Sequence, residues 1–416
     1  MTQGAVVEAA LTGVHREEWA RVVASLARRF ADLDLAEEMA AEAFAAAAER
    51  WPSDGVPPNP GAWITTTANR KAIDRLRRES QRDAKHREAL MLYDDTPVES
   101  VGAIDDDRLR LLFICCHPAL AMEARVALTL RMLGGLTVDE IARAFLVGEA
   151  AMSRRITRAK DKIRTARIPY RMPQAQDLPA RLDGVLAVLY LVFNEGYLAT
   201  GDTSQPIRRD LTTEAIRLTR LTRSLLPREG EVTGLLALML LIEARAATRL
   251  SKSGELVRLD EQDRGSWDRA MIDEGIALVR ERLDVVARGD GMPGRYQILA
   301  AINAVHTSVP DARDTDWSQI VELYDQLTLI DPSPVVALNR AIALAELDGP
   351  SVGLGAVDRL TDDLDGYHAF HAARADLLRR LGRSAEAREA YDRAIALAGN
   401  SAEVAYLARR RGQLAG

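Results

Sequence analysis

Apolar residues in this chain recur every three or four positions and almost nowhere alternate. In EEWARVVASLARRF (17–30) they fall at Trp19, Val22, Val23, Leu26 and Phe30, a single helical stripe. LDLAEEMAAEAFAAAAERW (33–51) follows after an Asp-rich turn and reads as a second helix. PSDGVPPNPG (52–61) should break the pattern, since proline and glycine cannot continue it cheaply. A basic helix is then expected as far as about Arg87. Residues 93–107 are acidic, contain a proline and lack any period, so they read as a linker. Helices resume at Asp107–Cys116 and Glu123–Leu133, and the stretch 168–179 (IPYRMPQAQDLP) marks a second boundary. Everything beyond it again has helical spacing, so the expected fold class is all-α.

The far end repeats. YDQLTLIDPSPVVALNRA begins at Tyr324 and YDRAIALAGNSAEVAYLARR at Tyr391, an offset of 67 residues. That is close to twice the tetratricopeptide period of roughly 34 residues. Helix pairs are expected at 334–347 with 351–361 and at 366–381 with 384–398. Leu381-Gly382 would make an inner turn, Ala387, Tyr391 and Ala394 would pack, and 402–414 would cap the stack. Residues 180–290 show no repeat.

Composition narrows the class. A hydrophobic share of 47% with 28% charged residues describes a soluble globular chain, and 416 residues suggest two to four domains. No secretory leader is evident, and the longest apolar run, around Val185–Phe193, is far too short to span a membrane. The two cysteines, Cys115 and Cys116, are adjacent and have no partners for a disulfide framework. A cytoplasmic protein is expected. The net charge of −6 is unevenly spread: residues 1–172 carry 26 Lys/Arg against 25 Asp/Glu, whereas 173–416 carry 29 against 36, a net −7. The acidity therefore does not argue against a polyanion partner for the first part.

Two basic helices supply the candidate chemistry. In WITTTANRKAIDRLRRES (63–80) Ala68, Ala72, Ile73 and Leu76 share one arc. Arg70, Lys71, Arg75, Arg77, Arg78 and, just beyond, Arg82 fill the other. A solvated amphipathic face is the plain reading, but with only Asp74 and Glu79 interrupting, phosphate is the natural partner. Farther on, Thr137 and Glu140 form a capping box, Ile141, Ala142 and Phe145 an inner face, and a short turn leads to a helix starting near Glu149. There Met152, Ile156, Ala159 and Ile163 point one way, and Ala151, Arg154, Arg155, Arg158 and Lys162 the other. This is a helix-turn-helix pattern, whose second helix enters a DNA major groove; an ordinary αα-hairpin with a charged outer face is the alternative.

Together these motifs resemble a bacterial sigma factor of the extracytoplasmic-function class, which keeps only the second and fourth sigma domains. The resemblance covers residues 10–168. DLAEEMAAEAFAAAAERWP (34–52) is similar to the segment that docks on core RNA polymerase, which implies Asp34, Leu35, Glu37, Glu38 and Phe44 as contacts. PGAWITTTANRKAIDRLRR (60–78) is similar to the segments that open and read the −10 element, which implies Trp63, Asn69, Arg70, Lys71, Arg75, Arg77 and Arg78. The helix-turn-helix implies duplex −35 binding by Ala151, Arg154, Arg155, Arg158 and Lys162. Gly148 departs from the proline expected at the first turn of the recognition helix. CCHPAL (115–120), VLYLVFNEGYLATGD (188–202) and the terminal repeats resemble the subgroup with a long tetratricopeptide-type extension.

The implied layout is region 2 at 1–90, an acidic linker at 91–106, region 4 at 107–168, a helical extension at 180–290 and repeats with a capping helix at 291–416. The linker reads either as a solvated tether or, as the resemblance implies, as a thread through the polymerase cleft, where Asp94, Asp95 and Glu99 would mimic nucleic-acid charge. The resemblance implies core polymerase and promoter DNA as partners, and the net −7 of residues 173–416 suggests that the extension contacts the basic helices of the sigma domains in cis; no membrane, cofactor or metal is expected. Cys115-Cys116-His117 reads as buried packing, because zinc needs four ligands. Asn194 and Glu195 could form a ligand pocket, or simply close a helix end. No catalytic set is evident. The rivals are a stand-alone helix-turn-helix regulator and an extension that senses a small molecule.

Overall fold

The computed structural model describes residues 3–80, 107–145, 147–174, 176–197, 207–251, 255–399 and 401–414. The expected linker at 91–106, with Asp94, Asp95 and Glu99, lies outside them, as does Arg82. The described chain is helical, apart from loops and an isolated antiparallel bridge between Leu250 and Leu256. No helix among the described residues is long and apolar enough to cross a membrane. Two compact units divide at Leu191/Val192.

The first unit opens with α1 (Gln3–Phe30), α2 (Leu33–Asp54) and α3 (Pro60–Ser80). Trp19, Val22, Val23 and Leu26 are buried as their spacing requires, and Phe30 is half-buried. Asp32 caps α2 by accepting from the amides of Asp34 and Leu35 at 2.8 and 3.0 Å. α2 runs three residues into the expected breaker. Pro52 sits in its last turn, where little ladder remains to be lost, and the helix closes only at Gly55, whose amide donates to Trp51 O at 3.0 Å. Asn59 then caps α3 through the Ala62 amide at 3.0 Å, with Pro60 at the first helical position.

Four helices follow: α4 (Asp107–Cys115), α5 (Met122–Met132), α6 (Val138–Ala144) and α7 (Glu149–Thr165). α8 (Leu178–Tyr197) crosses the division between the units.

The second unit continues with α9 (Arg209–Leu225), α10 (Gly230–Glu243) and α11 (Arg269–Ala287), then α12 (Arg295–Thr307) and α13 (Trp317–Ile330). α14 (Pro334–Leu347), α15 (Pro350–Asp358), the short α16 (Thr361–Leu364), α17 (His368–Arg380), α18 (Ser384–Leu397) and α19 (Ser401–Gly412) complete it. Ser333 caps α14 ahead of Pro334, and Gly382 turns the chain between α17 and α18 with φ +74°. Ala387, Tyr391 and Ala394 are buried in the core shared by these last helices.

Candidate nucleic-acid interface

α3 carries the first set of cations. Ile64, Ala68 and Ala72 bury one face, leaving Arg70, Arg77 and Arg78 exposed. Lys71 and Arg75 are less open than a purely cationic face would have them. Lys71 Nζ lies 2.9 Å from Glu42 on α2, and Arg75 pairs with Glu38 one turn earlier. Trp63 is half-buried with its ring edge-on to Trp51, centroids 5.6 Å apart. Asn69 is engaged within the fold: its amide donates to Thr65 O at 3.0 Å and its oxygen accepts from Arg29 at 3.4 Å.

α6 and α7 form the second set. The Thr137 amide donates to Glu140 Oε2 at 2.7 Å and the Glu140 amide to Thr137 Oγ1 at 3.2 Å, a reciprocal capping box. Ile141 and Ala142 of α6 and Met152, Ile156, Ala159 and Ile163 of α7 close the core between the helices. Arg154, Arg158 and Lys162 are exposed, while Ala151 and Arg155 are half-buried. Gly148 is the N-cap residue of α7, with extended backbone and no side-chain cap, so two amides of its first turn, Ala151 and Met152, bond only to the Gly148 carbonyl.

α7 has a third face that residue type alone conceals. Lys160, only 9% exposed, donates to Asp34 Oδ1 at 2.8 Å and pairs with Glu37. Burial opposes its charge, but Glu37 and Asp34 outweigh that cost and hold the ammonium above the usual lysine range. Arg131, at the end of α5, reaches Glu37 at 2.6 Å and the Leu136 carbonyl at 2.7 Å, and its own carbonyl accepts from Trp19 Nε1 at 3.2 Å. Gly135 makes this junction possible. Its φ is +72°, and a Cβ there would stand 2.8 Å from His15 and 3.0 Å from Trp19. His15 in turn packs on Phe44, centroids 4.8 Å apart.

The residues expected to meet polymerase are therefore engaged inside the first unit. Leu35 and Phe44 are buried, Glu37 serves Lys160 and Arg131, and Glu38 serves Arg75. Asp34, 52% exposed at its side chain, divides between Lys160 and, at 3.9 Å, Arg164. Sequence reasoning passed over Lys160 and Arg131. The signal for Lys160 was its register, four residues after Ile156 and three before Ile163, which puts it beside the buried arc.

The remaining candidates lie elsewhere in the fold. Cys115 and Cys116 are buried and free; burial pushes both thiols up, Cys116 to about 11, and Cys116 lies 3.5 Å from the Thr129 hydroxyl. No group of three or more His, Cys, Asp or Glu among the described residues could hold a metal ion. Asn194 and Glu195 are half-buried near the end of α8. The glycine after them permits a close crossing: a Cβ on Gly196 would lie 2.6 Å from the Thr212 amide, and the Gly196 carbonyl accepts from the Arg208 amide at 2.8 Å.

Comparison with known proteins agrees with this geometry. Residues 16–82 match Sigma-70 region 2, residues 110–163 match Sigma-70 region 4, and residues 181–283 match a family of unknown function, DUF6596. The chain is 44% identical over 401 residues to an uncharacterized protein, R00370, of Rhizobium meliloti (strain 1021), covering 95% of this chain and 93% of that one. It is also 28% identical over 154 residues to the ECF RNA polymerase sigma factor SigK of Mycobacterium ulcerans (strain Agy99), covering 35% of this chain and 78% of that one. No solved structure matches. The chain thus carries sigma-70 region 2 and region 4 segments, each holding one of the two basic helices, and its similarity to R00370 runs nearly end to end, through the helices beyond them.

Proposed function

We propose that this chain is an alternative, extracytoplasmic-function-type promoter-specificity subunit of bacterial RNA polymerase, acting in the cytoplasm. The observation that carries the reading is α7: a capped helix-turn-helix whose core face is buried while Arg154, Arg158 and Lys162 stay open. These cations suit phosphates and guanine edges of a duplex −35 element. α3 would meet the −10 region, its arginines holding phosphates while the Trp63 end and Asn69 receive an unstacked base. Asn69 would first exchange its bonds to Thr65 and Arg29. The acidic face of α2 would dock on core polymerase once Lys160 releases Asp34 and Glu37, so the free chain keeps a closed latch that polymerase opens.

The extension would regulate in cis. Its terminal helix pairs suit a tetratricopeptide-type stack, and its net −7 suits a return onto basic helices of the sigma regions.

Transcription with core polymerase on a promoter library, using the full chain and a truncation near residue 175, tests the assignment. Arg154→Ala or Arg158→Ala should weaken duplex −35 binding and relax base preference by about 1–3 kcal/mol. Trp63→Ala should leave −35 binding intact and abolish permanganate-reactive strand opening. Absence of promoter-specific transcripts with the full chain would refute the reading. Equal effects of all three substitutions on closed-complex affinity would refute the division between helices.

A further inference from the structure

The second unit buries two guanidinium groups that make no ion pair with any carboxylate among the described residues. Arg245 and Arg249, 8% and 4% exposed, both line a cavity of about 570 Å³. Arg245 spends one of its five N–H donors on Asn303 Oδ1 at 3.0 Å. Arg249 stacks 3.4 Å from the Tyr197 ring centroid and donates to the carbonyls of Tyr197 at 2.8 Å and Ile242 at 3.3 Å. Among the described residues neither makes an ion pair. The acidic neighbour that Arg249 feels, Glu243, stands beyond pairing range, and burial pushes its carboxyl above the usual range.

The carboxylates that do line the cavity are already matched. Glu346 holds Arg380 at 2.5 Å and Glu403 holds His368 at 3.2 Å. Asp376 is gripped by Arg258, Arg379 and Arg410 at 3.2, 2.8 and 2.9 Å. The remaining wall is largely apolar, from Leu256, Val257, Ala369, Ala372 and Leu407.

Burying a charge costs several kcal/mol unless it is paired, and a guanidinium is built to grip an oxyanion through two parallel N–H groups. We propose that this cavity is a binding site for a small organic anion, a carboxylate or phosphate carried on an apolar body, seated between Arg245 and Arg249. The volume fits such a molecule, and both guanidiniums, themselves largely buried, line it. An adjoining cavity of about 870 Å³ shares Arg258, Glu346, Asp376 and Arg380 with this one and leaves room for a longer body. A ligand here would give the extension an input of its own, independent of how the sigma regions meet DNA.

Calorimetric titration of the full-length chain with benzoate, phenyl phosphate and benzyl alcohol tests the site and separates the two anion chemistries. At least one anion should bind at one site per chain, with the neutral alcohol at least tenfold weaker. Arg245→Met should cost the anion at least tenfold in affinity with the circular dichroism unchanged. Should that variant fail to fold, Ala369→Trp fills the cavity from α17, leaves both arginines in place, and should abolish binding. No anion binding, equal binding of the alcohol, or anion binding indifferent to Ala369→Trp overturns the proposal. Binding of a tetraglutamate peptide in place of the small anions overturns it in favour of a protein-docking groove.

Discussion

Each unit of this chain buries cations, and it treats them in opposite ways. In the first, Lys160 is surrounded by its own answer: Asp34 and Glu37 come from a helix more than a hundred residues earlier, and Glu37 is shared with Arg131. In the second, Arg245 and Arg249 are buried at least as deeply but meet amide, carbonyl and aromatic groups instead of carboxylates. A satisfied buried ion pair closes a structure on itself. An unsatisfied one leaves an electrostatic debt that a ligand can settle. The first unit therefore looks inward, holding the face expected to meet polymerase, whereas the second, on the proposal above, would receive an anion from outside.

The severest way to break this contrast is to reverse the matched cation. Lys160→Glu would place a third carboxylate beside Asp34 and Glu37 in a largely buried position, a change of about 3–5 kcal/mol by analogy with broken buried pairs. The expected outcome is separation of α7 from α2, seen as faster amide exchange at Asp34–Met39 and around Lys160, with the helical content of both retained. If the latch reading is right, affinity for core polymerase rises at the same time. Loss of helicity throughout the unit would mean that the contact is part of the core and not a latch.

The unmatched cations can be read through a neighbour. His306, against the edge of Trp317 with ring centroids 5.3 Å apart, is held down to about 4, first by burial and then by Arg245 and Arg264. The folded chain thus keeps it neutral where the unfolded chain, titrating near 6.5, takes up a proton. Its contribution to stability is intact above about pH 6.5 and is lost as the pH falls toward 4, by about 2 kcal/mol between pH 7 and pH 5. His368, raised by its hydrogen bond to Glu403, works in the opposite sense, stabilising below its ordinary range and fading as the pH rises. Denaturation of the wild type against His306→Gln at the two pH values isolates the first effect, and the variant should lose less on acidification. Saturating benzoate should also move the His306 ring titration upward, since an anion beside Arg245 would cancel part of the field. An unmoved titration would detach His306 from the proposed site.

How far the chain could be read without its structure depended on whether a feature was local. The two basic helices were legible, because Met152, Ile156, Ala159 and Ile163 repeat on one face and Thr137 and Glu140 cap the preceding helix within a single turn. The end of α2 was misjudged, because a proline in a last helical turn costs far less than one in the middle. Lys160 was passed over because its type says surface while its register says flank of the core. Arg245 and Arg249 offered no local signal at all. Their burial depends on Tyr197 and Asn303, each about fifty residues away or more, and no pattern within EARAATRL foretells that.

Between the two buried extremes lie the half-exposed pairs of α2 and α3, and they set the smallest expected effect. Lys71 with Glu42 and Arg75 with Glu38 have side chains 35–47% exposed, so each pair should contribute well under about 1 kcal/mol to stability and weaken further with salt. That cheapness has a consequence for DNA binding. A phosphate could take either cation away from its carboxylate with little loss, so on the proposed reading Lys71 and Arg75 would remain available to promoter DNA although the free chain shows them paired. Glu38→Gln with Glu42→Gln should therefore leave the denaturation midpoint almost unchanged and tighten binding to a −10 fragment by less than about tenfold. Binding measured across a salt series should keep nearly the same slope, about 0.9 per phosphate contact, because the number of phosphates held does not change. A steeper slope in the double variant would show that the two carboxylates had kept Lys71 and Arg75 off the DNA. These pairs would then belong with Lys160, as cations already spoken for.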